Sequence, residues 1–161
     1  MLIVQKYGGT SVGGLDRIES VAKRVAKSKF KGNSLVVVVS AMSGETNKLT
    51  EYAHHFSKNP SKREMDILLS SGERVTASLL AIALQSMGVG AVAMTGRQAG
   101  IQTDSTHTYA RIESIDTKAM KHELEEGNII IIAGFQGINK EGRVTTLGRG
   151  GSDLSAVAVA G

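Results

Sequence analysis

Two short runs, Leu35 to Val39 and Ile129 to Ala133, constrain this chain more than anything else in it. Each is apolar at every position and rich in β-branched residues. A strand without polar alternation is buried on both faces, and such strands belong to parallel sheets with helices above and below. The stretches between them fit that plan. Residues 16 to 30 put Ile18, Val21, Ala22, Val25 and Ala26 on one side of a helix, with Asp16 as a candidate cap and Gly32-Asn33 as the stop. Leu2 to Gln5 and Val89 to Met94 read as further strands. A helix is expected to begin around Thr46. Pro60 separates it from a long helical pattern starting near Ser61, which Ser70-Ser71-Gly72 should interrupt. Residues 96 to 115 carry weak signals and read as irregular or short-stranded. Residues 116 to 126 read as a helix closed by Gly127-Asn128, Val144 to Leu147 as a short strand, and the residues after Gly151 as one more helix.

This alternation predicts an α/β fold: a three-layer αβα sandwich around a mostly parallel central sheet. Right-handed crossovers would bring the loops after Val4, Val39, Met94 and Ala133 to one edge, where ligands of open α/β sheets bind. With 161 residues a single domain is expected. The absence of cysteine excludes disulfides, thiolate metal sites and a cysteine nucleophile. Lys6 interrupts the first apolar run too early for a signal peptide, and no stretch reads as a run of about 20 apolar residues. A cytoplasmic protein, with no membrane partner, is expected. The net charge of +4 comes largely from Lys23, Arg24, Lys27, Lys29 and Lys31, which fit the outer face and exit of the first helix. With aromatic residues at 4% and no tryptophan, a base-stacking nucleic-acid surface is not expected.

The chemistry points to anions. Lys6-Tyr7-Gly8-Gly9-Thr10-Ser11-Val12-Gly13-Gly14 follows the first strand directly. Glycines let backbone N–H groups approach anionic oxygens, and the lysine adds a fixed charge. The run is neither a Walker A loop nor a dinucleotide fingerprint. A second loop, Gly148-Arg149-Gly150-Gly151-Ser152-Asp153, offers a guanidinium for a carboxylate; Ser152 would donate to the ligand or cap the last helix. Asp153 is placed to orient Lys6 or act on a substrate. Glu73 beside the glycine of the long helix is a candidate for a substrate ammonium, the alternative being an exposed Glu73–Arg74 pair. Thr46 is a candidate ligand contact or a simple cap. His54, His55, His107 and His122 have no chelating spacing, so no protein metal cage is expected.

Taken together, Lys6 to Val12, Val39 to Gly44 with Thr46-Asn47, Ser71-Gly72-Glu73-Arg74, Gly134-Phe135-Gln136-Gly137 and Gly148 to Asp153 resemble, in order and spacing, the aspartate kinases of the amino-acid kinase family. The resemblance implies ATP-dependent phosphorylation of the side-chain carboxylate of L-aspartate, at the head of lysine, threonine, methionine and, in bacteria, diaminopimelate synthesis. It implies Lys6 and Asp153 as catalytic residues, Asp153 supporting Lys6. It places Gly8, Gly9, Ser11 and Ser40 with Lys6 at the phosphates, and Thr46, Glu73, Phe135, Arg149, Gly150 and Ser152 at the aspartate. ATP is the implied phosphoryl donor, with Mg2+ held mainly through it, and the intact enzyme is expected to be a homo-oligomer. The family pattern further implies that residues 1–161 are the acceptor-binding part of a kinase domain. The nucleotide-binding half and regulatory ACT domains would lie elsewhere, and the isolated part would be inactive. Phosphorylation of glutamate, acetylglutamate or carbamate, and a non-catalytic anion- or amino-acid-binding module, remain as alternatives.

Overall fold

The two apolar runs become neighbours at the centre of a parallel sheet. The computed structural model describes residues 1–148 and 151–161, the side chains of Ser152, Asp153, Leu154 and Val157 excepted. Along the chain lie β1 (Leu2–Tyr7), α1 (Leu15–Phe30), β2 (Ser34–Val39), α2 (Glu45–Phe56), α3 (Lys62–Ser86), β3 (Ala91–Met94), β4 (Ile101–Thr103) and β5 (Ile112–Ile115). After them come α4 (Lys118–Glu125), β6 (Ile129–Ala133), β7 (Gln136–Ile138), β8 (Val144–Thr146) and α5 (Gly151–Ala160). The main sheet runs β1-β2-β6-β3, parallel throughout, with Val36 opposite Ile130 and Val39 opposite Ala133.

Alternate residues of β2 and β6 feed two cores, one on each face. Leu35, Val37, Val39, Ile129 and Ile131 pack with Ile18, Val21 and Val25 of α1 and Leu80 and Leu84 of α3. Val36, Val38, Ile130 and Ile132 pack on the other side with Met120 of α4 and Ala156 and Val159 of α5. The three expected layers are therefore present.

The structure corrects the sequence reading in several places. Asp16 does not cap α1; Gly14 is the capping residue, without a side-chain hydrogen bond, and Asp16 lies in the first turn. The strand expected over Val89 to Met94 is shorter, Ala91–Met94. Ser70-Ser71-Gly72 does not interrupt the long helix, which is continuous over 25 residues. The hydroxyls of Ser70 and Ser71 donate to the Ile67 and Leu68 carbonyls and are absorbed within the helix. By length and composition α3 is also long and apolar enough to cross a membrane, but its buried residues face the core of this domain. The stretch from 96 to 115 is short-stranded, as one of its two readings had it, and supplies β4 and β5 of a second, mixed sheet, ordered β5-β4-β7-β8. The Gly134 to Gly137 motif runs into β7 of that sheet, with Gln136 and Gly137 on the strand.

Candidate functional site

A parallel sheet delivers the ends of its strands to one edge, and three of the singled-out segments meet there. The Ser40 N–H donates to the Tyr7 carbonyl at 3.1 Å and the Gly134 N–H to the Val39 carbonyl at 3.0 Å. These bonds place the exits of β1, β2 and β6 side by side. The loop after β1 folds as successive tight turns: Ser11 N–H donates to Gly8, Val12 to Gly9 and Gly13 to Thr10. Gly8 and Gly9 are half-buried, while Lys6 and Ser11 are exposed. A Cβ on Gly8 would stand 3.1 Å from Lys6 Nζ, so the ammonium folds back over bare backbone. A Cβ on Gly9 would lie 3.3 Å from the Ala41 carbonyl oxygen, which brings the first loop against the Ser40 to Gly44 loop.

Glu73 comes to the same edge from α3. It is 4% exposed, so it is not part of an exposed Glu73–Arg74 pair. Gly72 makes this possible: a Cβ there would be 2.9 Å from the Ala41 Cβ, so only glycine lets α3 lie this close to the loop after β2. Burial pushes the Glu73 carboxyl up to about 7, against the weaker opposing pull of backbone N–H groups of Glu73 and Ala41. Among the described residues its Oε1 has no hydrogen-bond partner. A buried carboxyl oxygen left unpaired is costly, and a cationic ligand group would satisfy it. Thr46, half-buried, is the second residue of α2, whose cap is Gly44, so capping does not account for it.

Phe135 turns the chain from β6 into β7 with φ of 73°, unusual for a non-glycine residue. Its N–H donates to Ser155 Oγ at 3.2 Å, and its carbonyl accepts from Leu147 N–H at 2.9 Å. A Cβ on Gly151 would be 2.5 Å from Phe135 Cδ1, so Phe135 sits against the start of α5. Arg149 and Gly150 lie outside the described residues. Ser152 and Asp153 belong to α5, and the roles expected of their side chains, capping by Ser152 included, lie outside the described residues.

Two buried polar residues escaped the sequence reading. Gln136 donates to the Ser70 carbonyl at 2.9 Å, tying β7 to the turn of α3 that precedes Glu73. Asp66 is fully buried and pairs with His107, the Asp66 Oδ2 to Nδ1 distance being 2.6 Å, so His107 is not isolated. No local spacing announces either contact.

The chain matches the amino acid kinase family over residues 1–161. An aspartokinase of Helicobacter pylori is 56% identical over 161 residues, all of this chain and 40% of that protein. The chain thus spans about two fifths of the length of the curated relatives it matches. The crystal structure of aspartate kinase from Synechocystis superimposes with a TM-score of 0.85 at 45% identity, covering 99% of this chain and 26% of that one. E. coli aspartokinase III in complex with lysine and aspartate superimposes at 0.82 with 26% identity, covering 99% and 47%. Matched from first residue to last, and sharing its parallel sheet with aspartate kinases of known structure, the chain belongs to the amino acid kinase family.

Proposed function

We propose that the protein transfers the terminal phosphoryl group of ATP to the side-chain carboxylate of L-aspartate, giving 4-phospho-L-aspartate and ADP. The observation that carries this reading is the buried carboxyl of Glu73 at the strand-end edge, one oxygen unpaired among the described residues, a partner for the ammonium of an amino-acid acceptor. The aspartokinase relatives supply the acceptor's identity. A carboxylate oxygen of aspartate attacks the terminal phosphorus, the bond from that phosphorus to the oxygen bridging to ADP breaks, and ADP leaves with the electron pair. No proton has to be removed from the nucleophile, so positioning and charge neutralisation dominate.

Residue roles follow the same reading. Lys6 neutralises charge on the group in transfer, and its ammonium over the bare Gly8 backbone fits a phosphate. Gly8, Gly9, Ser11 and Ser40 line the phosphates. Thr46, Glu73, Phe135, Arg149, Gly150 and Ser152 hold the aspartate, and Asp153 supports Lys6. Mg2+ is assigned to the phosphates of ATP; among the described residues no group of three or more acidic or imidazole side chains converges.

Residues 1–161 are read as the acceptor-binding part of the kinase domain, expected to hold aspartate without turnover. Adenine contacts and regulatory domains are assigned to the parts of the relatives that the chain does not span. A cytoplasmic location is read from the aspartokinase relatives. Exposed Ile67, Val75 and Ile82 on α3 support a homo-oligomer. The product is an acyl phosphate, fitting an opening step toward lysine, threonine and methionine.

The test is ADP release by the full-length protein with L-aspartate, L-glutamate and N-acetyl-L-glutamate as acceptors. Aspartate should be preferred, and Lys6→Ala should lower kcat by about 100-fold or more. Preference for another acceptor, or a Lys6→Ala rate within about tenfold of normal, would overturn the reading.

A further inference from the structure

Strands β1 and β3 are the two outer strands of the main sheet, and the turn that leaves β3 borders a cavity of about 150 Å³. Arg74 of α3, Thr95 and Arg97 of that turn, Gln136 and Gly137 of β7, and Gly142 of the hairpin after β7 line it. The space holds several water-sized groups. No acidic residue borders it.

Two guanidiniums thus face one small space with nothing to offset them. Arg97 is exposed and Arg74 half-buried. The ion pairs among the described residues join Lys23 to Glu19, Arg63 to Glu64 and His107 to Asp66, so neither arginine belongs to one. Glu141, the carboxylate of the adjoining hairpin, accepts instead from the Ser105 hydroxyl at 3.1 Å. Arg74 Nη2 donates to the Ser70 hydroxyl at 3.4 Å, and among the described residues the buried Nε of Arg74 has no hydrogen-bond partner. Like charges around one cavity repel, and a buried donor without an acceptor is costly; a single oxyanion in the cavity relieves both.

The walls are fastened without any ligand. Thr95 N–H donates to Gln98 Oε1 at 3.0 Å, Gln98 N–H to Thr95 Oγ1 at 3.2 Å, and Ala99 N–H to the Thr95 carbonyl at 3.0 Å, which closes the turn carrying Arg97. A Cβ on Gly96 would collide with the Gln136 carbonyl oxygen, so this turn lies directly on β7. The Gln136 side chain holds the Ser70 carbonyl of α3, one helical turn before Arg74. Both arginines therefore rise from backbone tied to the same strand, which lowers the ordering that binding requires. The planar donor fork of arginine suits the oxygens of phosphate and carboxylate.

We infer that this cavity is a second anion site, taking a small oxyanion, a phosphate or carboxylate group, between Arg74 and Arg97. None of the residues assigned above to the phosphates of ATP or to the aspartate lines it. The inference goes beyond the aspartate-kinase reading and does not depend on it.

The test is amide hydrogen exchange of the full-length protein with inorganic phosphate or with succinate, each against sodium chloride at matched ionic strength. Millimolar anion should slow exchange over residues 95–100 and 136–144. Arg97→Ala, at an exposed position where folding is not at stake, should raise the half-saturating concentration about tenfold, and Arg74→Gln should do the same. Protection that phosphate gives to residues 8–13 should be unchanged by Arg97→Ala, which separates this site from the first glycine loop. Stronger protection by phosphate assigns a phosphoryl ligand and stronger protection by succinate a carboxylate one; either supports the site. Protection by neither anion, or protection that survives Arg97→Ala or Arg74→Gln undiminished, overturns it. The readout needs no turnover, so a failure of the aspartate-kinase reading would leave this result standing.

Discussion

Glu73 shows how a single side chain ties stability to ligand binding. Burial raises its carboxyl from 4.5 to about 7. Between those values the folded chain keeps a proton that the unfolded chain has lost, so this group makes unfolding easier as pH rises through that window. The cost above pH 7 is about 3 kcal/mol at most. In the ligand-free protein, Glu73→Gln should therefore gain unfolding free energy relative to the parent between pH 5 and pH 8, readable from urea midpoints; a difference independent of pH would contradict the buried-acid account. Aspartate binding near pH 6 should release a proton as the ammonium draws Glu73 into its charged form, visible by calorimetry in buffers of different ionisation enthalpy. The candidate Glu73 was visible in the sequence because a glycine beside an acid inside a helical pattern is unusual. Asp66 and Gln136 were not, because their partners lie 41, 42, 66 and 80 residues away along the chain.

At the scale of elements, α3 decides the shape of the site. Ser70-Ser71-Gly72 looks like a break because serine and glycine are poor helix formers, and glycine costs about 1 kcal/mol against alanine. Tertiary packing overrides that preference: the serine hydroxyls bond back to their own helix, and the missing Cβ of Gly72 lets the helix touch Ala41. Gly72→Ala should for that reason destabilise the protein by about 1–3 kcal/mol despite its better helix propensity, and should weaken acceptor binding by displacing the loop after β2. A gain in stability on chemical denaturation would show that the helix does not need this close approach. α1 was legible almost residue by residue, with Ile18, Val21, Ala22, Val25 and Ala26 all buried as its periodicity required. Of the second sheet, β8 was read as a strand over Val144 to Leu147, but β4 and β7, three residues each, are too short for an alternation to register.

For the whole molecule, the two-faced central strands are the main source of cohesion. Ile131 is fully buried between β2 and β3, facing the α1 and α3 layer. Ile131→Ala should cost about 2–5 kcal/mol, the transfer term plus the cavity it leaves. Phe56, at the end of α2 and 88% exposed, should change stability by less than about 0.5 kcal/mol when replaced by alanine. Comparable losses at both positions would mean that α2 packs more tightly than its lack of buried residues indicates.

From local pattern alone came the layers, the parallel sheet, the edge where its loops gather, and the glycine-rich segments resembling aspartate kinases. Period and composition act over a few residues, and those features are written at that range. Tertiary structure alone decided that α3 runs unbroken, that Glu73 is buried with an oxygen unpaired among the described residues, and that Asp66 joins a helix, a turn and a strand. Each of these depends on how closely distant segments approach, and that distance is set by packing rather than by any neighbour in sequence.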